Sequence, residues 1–202
     1  MFDVRKIQEQ ALYNAVKAAD GDEAASYIVY GEGGSAAAED NAAWVKSAMS
    51  RLESRFDAPA VKRIRMACQC GYAMDEKLAL LRNLMAAASN MEEFAGSDGA
   101  KAAGLFCENG ELYLQFHFCP CPMLAEVDRL ESYAWCQCTT GYSAVLFEQA
   151  FGCPVDVELL QSIKVGDARC LMKIIPRGAV AWGMYGTDKG KMLPARTPRE
   201  QR

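Results

Sequence analysis

The stretch "LFCENGELYLQFHF", residues 105–118, decides how the rest of this chain is read. Leu112, Leu114, Phe116 and Phe118 alternate with Glu111, Tyr113, Gln115 and His117. Alternation with period two marks a strand with one apolar face. Asn109-Gly110 suits the tight turn of a β-hairpin, because both residues accept positive φ at low cost. The prolines of "CPCPM" (119–123) then stop the strand, since proline cannot donate to a ladder.

Towards the C-terminus, "TGYSAVLFEQAF" (140–151) suits a buried helix ended by Gly152. "CPVDVELLQSIKVGDARCLMKII" (153–175) reads as a second hairpin. Val155, Val157 and Leu159 alternate, "VGDA" turns, and Cys170, Met172 and Ile174 alternate on the return. Residues 178–185 are expected to add a last short strand. Residues 187–202 are polar, with two prolines, and are expected to be a disordered tail.

Towards the N-terminus, the periodicity changes to helical. Ile7, Ala11, Leu12, Ala15 and Val16 form one stripe, and "GEGGS" (31–35) breaks it. Ser35 is the expected cap of a second helix, with Trp44, Val45, Ala48, Met49, Leu52 and Phe56 on one face. Residues 58–66 predict a short helix with a basic flank of Lys62, Arg63 and Arg65. Asp75 is the expected cap of a third long helix, with Leu78, Leu81, Leu84 and Met85 inward. The expectation is one α+β domain over residues 1–186. Residues 1–100 are mainly helical, and 101–186 form an antiparallel sheet of two hairpins flanking a helix.

The segment "GYSAVLFEQAFGCPVDVELLQSIKVGDARCLMKI" (141–174) resembles the C-terminal half of the 4-vinyl reductase domain. It also resembles the related L-2-amino-thiazoline-4-carboxylic acid hydrolase-like family. The features that carry the resemblance are Glu148, Gly152, Pro154-Val155, Gly166-Asp167 and Cys170, and it covers residues 135–176. It implies a small-molecule-binding α+β domain and assigns no catalytic residue to this chain.

With 202 residues, the chain is long enough to bury a core without disulfides. Its net charge of −4 argues against a broad nucleic-acid-binding face, and no apolar run is long enough to span a bilayer. The first residues show no secretory signal pattern, so the expected location is the cytoplasm. A small molecule or a metal ion is the expected partner, and a homodimer is left open. In a reducing compartment the nine cysteines are expected to be thiols, ligands or redox centres.

Six of those cysteines form three Cys-x-Cys pairs, in "ACQCGY" (67–72), "CPC" (119–121) and "WCQCTTGY" (135–142). Thiolates are soft ligands suited to zinc or an iron–sulfur centre. In an extended segment residues i and i+2 face the same way, so both sulfurs of a pair can reach one ion. The preferred tetrahedral set is Cys68, Cys70, Cys136 and Cys138, each pair expected just before a helix N-terminus. Cys119 and Cys121, with His117 on the same strand, form a second candidate set. Cys107, Cys153 and Cys170 are read as small buried hydrophobes.

Tyr142, Trp135 and Tyr113 are candidate walls of an apolar ligand pocket. The rival reading is a cysteine-dependent hydrolase of a small thiazoline-like or amide substrate, with Cys119 or Cys136 as nucleophile and His117 as base. A thiol redox sensor is the second rival.

Overall fold

The structure, a computed structural model, describes residues 3–32 and 40–183. Within them the chain runs through helices α1 (Val4–Tyr30), α2 (Asn41–Arg55), α3 (Ala58–Met66), α4 (Met74–Ala86), α5 (Met91–Gly96) and α6 (Asp98–Ala102). Strands β1 (Leu105–Glu108) and β2 (Glu111–Phe116) follow, then α7 (Gln137–Phe151), β3 (Val155–Gln161) and β4 (Cys170–Pro176). The fold is α+β, as the two periodicities predict.

Acidic and amide caps start α2, α3 and α5. Asp40 accepts from the Ala43 N–H at 2.7 Å, Asp57 from Ala60 at 2.9 Å and Asn90 from Glu93 at 2.8 Å. Each satisfies a backbone donor that has no partner inside the helix. The cap of α2 is thus Asp40, and Ser35 lies outside the described residues, as does the proposed tail. Helix α4 also starts differently from expectation. Its N-cap is Ala73, in the left-handed region at φ 52°, and Asp75 sits within the first turn. There its carboxylate meets the positive end of the helix dipole without capping it. Helix α1 is broken at Asp20-Gly21, where Gly21 has φ 87°.

Asn109 and Gly110 both take positive φ, 53° and 78°, and Glu108 pairs with Glu111 across the turn. The sheet order is β1-β2-β4-β3, antiparallel throughout, so the two hairpins join through β2 and β4. Leu114 faces Met172 and Leu112 faces Ile174 across that seam. The apolar face so formed lies under α4–α7, with Phe147 and Phe151 of α7 fully buried. Residues 178–183 form no strand. Instead Ala181 N–H donates to Phe151 O at 2.9 Å, and Trp182 packs on Phe94 and Phe151.

A second core belongs to α1–α3 and the irregular segment 122–136. Trp44 and Trp135 meet there edge-to-face, with ring centroids 5.6 Å apart. The two cores touch where α7 crosses α3. At Gly141 the backbones come so close that an added Cβ would lie 1.9 Å from Met66 O. That oxygen is backbone and has no rotamer with which to move aside.

Gly141→Ala therefore has to push α7 off α3. Overpacking of this kind costs about 1–3 kcal/mol. Thermal unfolding followed by circular dichroism should show a Tm several degrees lower. An unchanged Tm would mean that this crossing is not the tight contact described.

Candidate functional site

A cavity of about 430 Å³ lies between the two cores. Its apolar wall is built from α4, the β1–β2 hairpin and α7, through Leu80, Leu81, Leu114, Phe116, Leu146 and Phe147. One member of each Cys-x-Cys pair also lines it: Cys70, Cys121 and Cys138. At residues 71–72 and 141–142 the repeated Gly-Tyr units meet as well. The Tyr142 hydroxyl donates to Tyr72 O at 2.8 Å. The Lys77 ammonium lies 4.8 Å from the Tyr142 ring centroid and 5.9 Å from that of Tyr72.

The pairs divide because their backbones are not uniformly extended. Cys136 has helical φ/ψ and caps α7, and Cys138 is in the first turn of that helix. Two residues apart on a helix, side chains point about 200° away from each other. Cys136 therefore turns to Ser162, with Sγ and Oγ 3.3 Å apart, while Cys138 turns to Cys121. In the first pair Cys68 is buried and donates to Ile64 O at 3.1 Å, leaving only Cys70 at the cavity.

The expected ligand set Cys68, Cys70, Cys136 and Cys138 is thus not assembled. Among the described residues no three of His, Cys, Asp and Glu gather as a metal-ligand group. His117 is exposed and does not line the cavity, so the set of Cys119, Cys121 and His117 does not form there either. Of the expected pocket aromatics, Tyr142 is at the cavity. Trp135 is 1% exposed in the helical core. Tyr113 is on the far face of the sheet, stacked on Phe106 at 5.1 Å and donating to Glu111.

The electrostatic centre of the site is a residue whose role the sequence does not reveal. Arg65 reads as part of a basic flank, yet it is 0% exposed. Its guanidinium lies 4.1 Å from the Trp135 ring centroid. One nitrogen donates to Trp135 O at 3.2 Å and to Gln8 Oε1 at 3.4 Å, while Nε and Nη1 have no hydrogen-bond partner. Among the described residues no carboxylate pairs with it. A buried cation without an anion is costly, and a thiolate beside it offsets that cost.

Cys121 supplies that thiolate. Its pKa falls from an ordinary value near 9 to about 6. The chief cause is the neighbouring Cys138 thiol, which stabilises the charged sulfur. Burial opposes it, while the Met123 backbone N–H and, least, the Arg65 charge add to it. Cys138 is pushed the other way, first by this same contact and then by burial. The two titrate as a unit, losing one proton readily and holding the second. Burial raises Cys119 and lifts Cys136 to about 12, so neither of the nucleophiles expected from the sequence is the activated one.

Two predictions follow from this charge arrangement. Arg65→Met should raise the pH at which Cys121 becomes reactive by a fraction of a unit or more, and Arg65→Lys should keep most of the effect. A pH–rate profile of thiol alkylation reads both. Alkali should also weaken the fold. Unfolded cysteines ionise near pH ~8.5 and tyrosines near ~10. Cys136 and Tyr142, each raised to about 12, and the raised Cys138 keep their protons in the folded state well beyond that. Their contribution to stability is complete below the unfolded pKa and is lost as pH rises towards the folded one. Urea midpoints should accordingly drop between about pH 9 and 11. A flat profile would contradict the burial of these groups.

No curated protein matches this chain, and no solved structure does. No helix among the described residues is long and apolar enough to cross a membrane. A family model does match, over residues 1–181, and on that extent the chain belongs to the family of unknown function DUF6144.

Proposed function

We propose that this protein binds a small, largely apolar molecule in the cavity between its cores and presents the Cys121 thiolate to it. The observation that carries the reading is the convergence of Cys70, Cys121 and Cys138 on one apolar cavity. At the same place Cys138, with a smaller contribution from Arg65, favours the charged form of Cys121. An apolar wall with few polar groups is the usual make-up of a small-ligand site. A thiolate at neutral pH is a nucleophile, whereas Cys68, Cys136 and Cys138, all raised above the ordinary value, hold their protons. A small-molecule-binding domain is also what the resemblance to the 4-vinyl reductase group implies. Any hydrolytic chemistry would run through Cys121 and not through a Cys–His117 pair, because His117 is outside the cavity.

Iodoacetamide labelling of the full chain, mapped by mass spectrometry across pH 5–8, tests this. Cys121 should be labelled first, with a rate that rises through about pH 6 and then levels off. An apolar molecule that fills the cavity should slow that labelling. Labelling of all nine cysteines at similar rates would overturn the proposal. So would zinc or iron, copurified with the protein, that shields Cys121 until a chelator removes it.

A further inference from the structure

Cys121 and Cys138 both line the cavity, and the ligand-binding reading above gives Cys138 no chemistry of its own. Cys121 comes from the Cys-Pro-Cys segment and Cys138 from the first turn of α7, so they are separated in the chain and neighbours in space. Both line the cavity, and both are free thiols. Cys138 is the more deeply buried of the two and lines the same cavity.

We propose that Cys121 and Cys138 form a two-cysteine redox centre that reduces a small organic disulfide held in the cavity. The proposal rests on the cavity being a ligand site. The Cys121 thiolate attacks one sulfur of the disulfide RSSR. A Cys121–S–S–R bond forms, the S–S bond of RSSR breaks, and RS⁻ leaves with the bonding pair. Cys138 gives its proton to that RS⁻ and attacks the Cys121 sulfur. This closes a Cys121–Cys138 disulfide and expels a second RS⁻, which takes a proton from water. The protein dithiol is oxidised by two electrons, and RSSR is reduced to two thiols. An external thiol in excess runs the same steps backwards and restores the dithiol.

The lining favours a disulfide over a hydroperoxide. A departing alkoxide needs a proton, and the lining offers for it only the Lys77 ammonium, held over the Tyr142 and Tyr72 rings, with no histidine, aspartate or glutamate. A thiolate is a far better leaving group and departs without a proton. The apolar wall suits small organic substituents on the disulfide. Arg65, buried with two nitrogens that have no hydrogen-bond partner, favours negative charge on sulfur in the starting thiolate.

The reduced full-length protein is treated with bis(2-hydroxyethyl) disulfide and analysed by intact mass and peptide mapping. The wild type should lose two hydrogens in mass, yield a Cys121–Cys138 cross-linked peptide and release two equivalents of mercaptoethanol per chain. Cys138→Ser should stop halfway, with one mercaptoethanol retained on Cys121 and one released. Both variants remove the thiol that stabilises the Cys121 thiolate, so they are treated at about pH 9, where a cysteine ionises without that help; Cys138→Ala replaces the serine variant if that folds poorly, and the wild-type cross-link needs no variant. A wild-type protein that keeps the mixed disulfide on Cys121 overturns the redox centre while leaving the ligand site standing. Cross-links confined to other cysteines have the same meaning. Absence of any reaction at Cys121, with this probe or with iodoacetamide, overturns both. Oxidation by hydroperoxide alone overturns the assigned substrate class.

Discussion

The helical side of the site is arranged around one buried charge. Arg65 is enclosed between the Trp135 ring and Gln8, with no carboxylate to neutralise it. Such a group is retained at a cost of several kcal/mol unless anions, dipoles and aromatic faces around it respond. Here they respond together. The Trp135 carbonyl and ring hold the guanidinium, Gln8 bridges it to the Cys68 carbonyl, and its field lowers Cys121 while it partly offsets the effect of burial on Cys68 and Cys138. The residues of the two Cys-Gln-Cys segments are thereby drawn to one centre. Gln8, in the middle of the apolar stripe of α1, is inward because that centre needs an acceptor.

Much of this architecture is legible in the chain. The hairpin at Asn109-Gly110, the alternation on β3 and β4, and the bounds of α3 follow from local rules that tertiary packing does not override. The apolar stripe of α2 is read correctly down to Leu52. The failures have local causes too. Asp20-Gly21 is a turn signal inside a helical pattern, and the stripe on either side of it hides the break. Asp75 is a good capping residue, but the backbone reaches the helix two residues earlier through a left-handed Ala73.

The site was legible in composition and not in geometry. Three repeated pairs point to a shared purpose, and one thiol of each pair does reach the same cavity. Pair spacing alone cannot tell whether two sulfurs face together, because that depends on φ/ψ at three residues. At 136–138 those angles are helical, so the pair separates. Arg65 was hidden for a related reason. It lies among basic residues on a short helix, and it is covered by Gln8 of α1 and by the return of Trp135 some seventy residues later in the chain. Burial of a charge by a distant segment leaves no periodic trace.

The close crossing of α3 and α7 at Gly141 has a consequence for how the molecule responds to whatever fills the cavity. The helical core and the sheet core meet at that backbone contact and around the cavity, so the cavity wall is shared by both. Open apolar space between two packed bodies is dispersion energy that neither body collects alone. A molecule lodged there adds contacts to both sides at once, and by mass action it stabilises the assembled state over any state in which one core has loosened from the other. Occupancy is then felt as tighter coupling between the two halves of the chain, which should unfold in a single cooperative step when the cavity is filled.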